Sequence, residues 1–528
     1  MRTGGKKAVV AAVALVAAAG VAACGGQEQK AGSTDEIQVE QGRLHGVTEG
    51  AVRRFTGVPF AAPPVGDLRW APPAPPASWS GVREATKPAN ICEQPSEGLR
   101  PGQKPSEDCL YLNVTMPSKP SAKPRPVLVF LHGGGFVGGS GGETDPRRMA
   151  ERGDLIVVTP NYRLGVFGGF THPALGRAGS FFLQDQQAAL AWVKANAAAL
   201  GGDAGNVTLA GQSAGAMSVC SQLASPSAAG LFHKAIIASG SCVTNHPAGA
   251  LSPELPTVST WKSREEIDGI SQSIATGLGC TDPKTALACL RAVPPEKLVP
   301  TSAAFTFVPF DTDVLPQDPG KSLRQPWSAP VPVLAGNTSD EHLLTITRAY
   351  ANATPETYHK VMTTAFGAKA AEVERFYPLG SYATPAKALD RAFTDRDWIC
   401  ATVDANRVYA KTAPTWTYVF DEPEAQSVEG DEIKPGNRPA STHGADLPYL
   451  FLADPNDKLL TPAQHALGDR LIAYWTAFAR TGDPNVQTPP PWPPTTPTVS
   501  EGLTMNSAPD GIRANDIGAH HHCGFWWS

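Results

Sequence analysis

Charge is scarce in this sequence. Asp, Glu, Lys and Arg make up only 18% of its 528 residues, the net charge is −5, and the 44 Lys and Arg form no basic stripe. A nucleic-acid partner needs a dense positive surface, so none is expected. Internal repeats are lacking, which excludes solenoids and propellers. No cysteines stand at zinc-ligand spacing, and neither a metal nor a cofactor is implied. Beyond the first 23 residues no apolar run is long enough to span a membrane. What the chain does have is glycine (51) and proline (50), widely scattered, with 41% hydrophobic residues. That describes a loop-rich globular protein with ample core, not a disordered one.

The amino terminus reads as an address. Arg2, Lys6 and Lys7 precede an Ala/Val-rich run to Ala23, too short for a span but right for a signal peptide over 1–23. The run ends Val21-Ala22-Ala23-Cys24, which resembles a bacterial lipobox and predicts lipidation of Cys24. Residues 24–36 then form a polar tether, and 37–528 form the folded domain. The expected location is the outer face of the membrane, held only through that anchor, or the medium. Setting Cys24 aside from nine cysteines leaves eight as disulfide candidates. Spacing suggests the local pairs Cys92–Cys109 and Cys280–Cys289, each worth ~3 kcal/mol on a chain-entropy estimate. It does not fix how Cys220, Cys242, Cys400 and Cys523 pair.

The most informative stretch is VTLAGQSAGA (207–216), a short apolar strand running into Gly211-Gln212-Ser213-Ala214-Gly215. G-x-S-x-G is weak alone in so glycine-rich a chain. Between a strand and a run of small helix-tolerant residues it reads as a nucleophile elbow, with Ser213 lifted on a sharp turn. Upstream, the apolar run Pro126–Leu131 ends in His132-Gly133-Gly134-Gly135, whose bare backbone N–H groups suit an oxyanion site. Apolar runs at Leu155–Thr159, Ala235–Ala238, Val331–Ala335 and Trp416–Phe420 alternate with helical segments such as Gln184–Ala199. This pattern predicts an α/β fold around a parallel sheet. Helical stretches in Pro253–Pro300 and Pro355–Arg407 read as cap insertions. A long helix over Thr461–Arg480 closes the core, and Thr488–Pro497 is an irregular tail.

Of twelve histidines, His443 stands out in a small-residue loop after the Trp416–Phe420 strand. His132 belongs to the glycine loop, His233 reads as a packed helix-end residue, and His520, His521 and His522 form a tail cluster. For the acid, the Gly336–Glu341 loop follows a strand at the sheet's chemical end, and either Asp340 or Glu341 can orient His443.

Several motifs together resemble the type-B carboxylesterase and cholinesterase family of α/β-hydrolases. They include FTGVPFAAPPVGDLRW (55–70), SEDCLYLNV (106–114), HGGGF (132–136), NYRLGVFG (161–168), GGDAGNVTLAGQSAGA (201–216) and HGADLPYLF (443–451). The resemblance implies a large, mostly parallel sheet flanked by helices with helical caps. It implies a Ser213, Glu341, His443 triad, with Glu341 preferred to Asp340, and oxyanion donors from Gly134, Gly135 and Ala214. It also implies a Cys400–Cys523 bridge, which leaves Cys220–Cys242 as the fourth. Arg69 with Glu107, and Arg163 with Asp185, match buried structural ion pairs of the family. Three residues depart from its pattern: Gln212 stands where many members carry glutamate, and Thr338 and His342 where asparagine and glycine are usual.

The implied activity is hydrolysis of a small-molecule ester through an acyl-enzyme, without cofactor. The first disulfide loop, EQPSEGLRPGQKPSED, has no aromatic residue to hold a quaternary ammonium and no long apolar lid. Small-to-medium soluble esters remain; Phe136 and Met217 are candidate pocket walls, although core packing is the commoner fate of such residues. The competing readings are a non-catalytic surface-binding scaffold and an amide or carbamate hydrolase with the same triad.

Overall fold

The computed structural model describes residues 35–97, 99–325, 330–427, 440–451, 460–485 and 490–527. The signal peptide and Cys24, and all but the last two residues of the tether, lie outside them. The central sheet has eleven strands: β1 (Val47–Glu49), β2 (Val52–Pro59), β3 (Tyr111–Pro117), β4 (Arg125–Leu131), β5 (Ile156–Pro160), β6 (Gly202–Gln212), β7 (Lys234–Ala238), β8 (Val333–Thr338), β9 (Thr415–Phe420), β10 (Glu501–Met505) and β11 (Ile512–Asp516). They lie in the order β11-β10-β9-β8-β7-β6-β4-β5-β3-β2-β1. The run from β10 to β5 is parallel throughout, and the outer strands are antiparallel.

Central strands are apolar without interruption because both their faces are covered. Val127, Val129 and Leu131 of β4 enter one core layer, while Leu128 and Phe130 enter the other. The first layer is closed by α1 (Phe181–Asn196) and α2 (Ala214–Ala224), through Phe182, Leu190, Val193 and Val219. The second is closed by α3 (Pro462–Thr481), through Leu467, Leu471, Trp475 and Phe478. Local chemistry sets the ends of α3. Thr461 and Gln464 form a capping box, Pro462 stands at the first turn, and Gly482 ends the helix at φ 81°. The cap helices carry cores of their own, one around Ile267, Leu290 and Phe305 and another around Tyr358, Met362 and Leu389.

One expectation changes, and two unforeseen strands appear. Beyond the predicted tail, β10 and β11 extend the sheet at its carboxyl edge. Ile512–Asp516 (IRAND) is mostly exposed, and a solvated edge strand carries polar residues and no apolar alternation to read. His233 ends no helix: it leads into β7, and its Nδ1 accepts the Val207 N–H at 3.1 Å.

Candidate active site

Strand β6 ends at Gln212 and α2 begins at Ala214, leaving Ser213 alone on the turn at φ 58°, ψ −124°. A non-glycine residue held there costs on the order of 1–3 kcal/mol, so its surroundings must enforce it. Ser213 N–H donates to Ala238 O at 3.0 Å, and Ser213 O accepts from Met217 N–H at 2.9 Å. The flanking glycines are required by contact. A Cβ on Gly211 would sit 2.4 Å from Gly215 C, and one on Gly215 would sit 2.1 Å from Leu131 O.

The glycine loop leaves β4 directly beside this turn. A Cβ on Gly133 would lie 3.1 Å from Ser213 Cβ. Gly134 and Gly135 both have positive φ, 105° and 60°, and a Cβ on Gly134 would strike Gly138 O at 2.2 Å. The Gly134 carbonyl accepts the N–H groups of Val137 and Gly138, which turns the loop. The Ala214 N–H heads α2, where no helical carbonyl precedes it. His132 is a prop: it stacks on Tyr162 at 4.2 Å, and burial lowers its imidazole to about 4, keeping it neutral.

Of the two acids, Glu341 is the one that faces His443. Glu341 is buried and accepts from Thr338 N–H at 2.9 Å, Asn337 Nδ2 at 3.3 Å and His443 Nδ1 at 2.5 Å. Burial alone would raise its carboxyl, but the facing imidazole and these hydrogen bonds hold it below the ordinary range. Asp340, next in the chain, turns the other way, pairing with Lys387 and accepting the Ser441 N–H. With Nδ1–H committed to Glu341, His443 Nε2 is the acceptor, and Gln212 Nε2 lies 3.2 Å from it. The Trp398 ring packs on the same imidazole at 5.1 Å.

A further carboxyl borders this unit. Asp446 is buried, its Oδ2 accepts Tyr418 OH at 3.4 Å, and burial together with the Glu341 charge raises it to about 6. Between its unfolded value near 4 and this folded value, the folded chain keeps a proton that the unfolded chain releases. Stability therefore falls as pH rises through that window. Asp446→Asn removes the ionisation, so its stability relative to wild type is expected to gain roughly 2–3 kcal/mol between pH 4 and pH 7 and then level off. Urea denaturation of both proteins across that range checks this; a pH-independent difference would mean that Asp446 ionises normally.

Ser213 and His443 open into a cleft of about 440 Å³ walled by Leu447, Pro448 and Phe451. Arg100, from the first disulfide loop, and Glu143 stand in the same cleft, and Arg100 Nη1 donates to Glu143 O at 3.1 Å. Sequence reasoning missed these two charges and Trp398, which occupy stretches without a distinctive pattern. The expected walls Phe136 and Met217 are instead core residues: Phe136 packs on Phe182 at 4.9 Å, and Met217 is buried on α2. Arg69–Glu107 and Arg163–Asp185 are closed at 2.6 and 2.7 Å, and neither pair is among the residues that line the cleft. The structure pairs Cys92 with Cys109, Cys220 with Cys242, Cys280 with Cys289, and Cys400 with Cys523.

The chain is similar to known proteins over most of its length. The carboxylesterase family profile matches residues 33–526. The para-nitrobenzyl esterase of Bacillus subtilis (strain 168) is 34% identical over 489 residues, 89% of this chain and 94% of that protein. The fumonisin B1 esterase of Sphingopyxis macrogoltabida is 33% identical, over 86% of this chain and 83% of that one. A solved PNB esterase superposes with a TM-score of 0.76 at 29% identity, covering 94% of this chain and all of its own. The chain belongs to the carboxylesterase family, with the α/β-hydrolase fold, and is a carboxylic ester hydrolase.

Proposed function

We propose that Ser213, His443 and Glu341 act as a nucleophile, base and acid triad in two-step hydrolysis of small-to-medium soluble esters. The observation that carries this reading is the convergence of the strained Ser213 turn and the Glu341–His443 hydrogen bond on one cleft. Ser213 Oγ attacks the ester carbonyl while His443 Nε2 takes its proton; Gln212 must first yield the Nε2 lone pair. The negative charge that develops on the carbonyl oxygen accepts from the N–H groups of Gly134, Gly135 and Ala214. Each such donor is worth roughly 10²–10³ in rate because that charge exists only in the transition state. His443 then protonates the leaving alcohol and, in the second step, draws the proton from the water that releases the acid. Glu341 holds the tautomer and balances the imidazolium charge.

A cleft of about 440 Å³ suits a drug-sized ester. Across 4-nitrophenyl esters from acetyl to palmitoyl, kcat/KM is expected to peak at short chains and to fall at least tenfold by palmitoyl. A palmitoyl optimum would overturn the size assignment, and inertness across the whole series would overturn the triad. Four disulfides fit a chain that matures outside the reducing cytosol. We further propose that residues 1–23 direct export and that Cys24 carries the lipid anchor, on the strength of the signal-like run and the lipobox resemblance.

A further inference from the structure

Behind the triad lies a second constellation that the proposed chemistry does not use. His246 Nδ1 and His342 Nε2 both converge on one oxygen, Asp397 Oδ2, at 3.1 and 2.8 Å. The three ligand atoms lie within 4.8 Å of one another, and the residues are 7%, 2% and 0% exposed. They come from separate segments: a short strand at Asn245–His246, the position after Glu341, and the turn Thr394–Ile399. Rings of Trp398 and Phe393 wall the cluster.

We propose that His246, His342 and Asp397 bind a divalent transition-metal ion of the zinc class. Two imidazole nitrogens and one carboxylate oxygen, completed by water, are a donor set that suits zinc and disfavours calcium or magnesium, which take oxygen. At metal–ligand distances of about 2.0–2.2 Å, tetrahedral geometry sets donor atoms about 3.3 Å apart. Each imidazole nitrogen therefore backs off Asp397 Oδ2 by a few tenths of an ångström, while the two imidazole nitrogens, no more than 4.8 Å apart, draw together to the same spacing. The other carboxylate oxygen, Oδ1, has Arg396 Nη1 at 3.3 Å, the kind of outer hydrogen bond that fixes a monodentate ligand. On binding, each imidazole moves its proton to its far nitrogen, so neither ring changes charge. The ion would tie the loop bearing Glu341 to the turn bearing Trp398, which packs on His443, making it a structural site that supports the triad.

The test reads metal directly, without substrate, so it stands apart from the esterase reading. The full chain, stripped with a chelator, is titrated with Co²⁺ as a visible stand-in for Zn²⁺. One equivalent with the absorption of a four-coordinate site is expected, together with a rise in Tm. Asp397→Asn and His342→Gln are each expected to weaken binding at least 100-fold, whereas His520→Gln/His522→Gln, in the tail cluster, keeps it. Circular dichroism checks folding, and His342→Gln decides if Asp397→Asn does not fold. No uptake by wild type would overturn the site and leave a hydrogen-bonded cluster; so would uptake lost only in the tail variant.

Discussion

Ser213→Ala is expected to lower kcat for a short-chain 4-nitrophenyl ester by roughly 10⁵–10⁶-fold, with little change in KM. The methyl group that replaces the hydroxymethyl fills no new space, and the backbone contacts that hold the turn, to Ala238 O and from Met217 N–H, remain. Binding in the cleft is therefore retained while the covalent route is lost. The residual rate, from the anion hole and binding alone, should still exceed the uncatalysed reaction. Rapid-quench kinetics provide the check: wild type should show a burst of 4-nitrophenol matching the enzyme concentration, and the variant none. An undiminished burst in Ser213→Ala would assign the nucleophile elsewhere.

The second large effect separates neighbours. Glu341→Gln is expected to cost about 10⁴ in kcat, because an amide donating to His443 Nδ1 forces the imidazole proton onto Nε2, which then cannot accept from Ser213. Asp340→Asn should leave kcat within about threefold of wild type yet lower stability by about 1–3 kcal/mol, since its half-buried partner Lys387 loses a charged acceptor. The loss is moderated because Asp390 lies 3.7 Å from Lys387. Burial, and after it the Asp340 charge, keep Asp390 well above the usual carboxylate range, and removing that charge lowers it while burial still holds it up. Steady-state kinetics beside urea denaturation should show one variant inactive but stable and the other active but weakened. The reverse pattern would transfer the acid's role to Asp340.

These contrasts mark how far the chain could be read without coordinates. The strands around the elbow were legible because burial on both faces leaves continuous apolar runs, as in Arg125–Leu131. The elbow was legible because steric contact admits only glycine at 211 and 215. The strand at Ile512–Asp516 was not, since an exposed edge imposes no pattern. Phe136 illustrates the opposite error. Its place after the glycine loop suggested a pocket wall, but a positive φ of 64° turns it into the core against Phe182.

The sequence by itself therefore determined the fold class, the position of Ser213 and the glycine loop, because those depend on short-range sterics and periodicity written over a few consecutive residues. Only the tertiary structure decided which acid faces His443, that Gln212 lies against its Nε2, and that Arg100, Glu143 and Phe451 share its cleft. Only it brought His246, His342 and Asp397 onto one carboxylate oxygen, across 151 and 55 positions of chain. The physical reason is the same in each case. Side-chain direction at a loop is set by what packs around it, and those neighbours are distant in the chain.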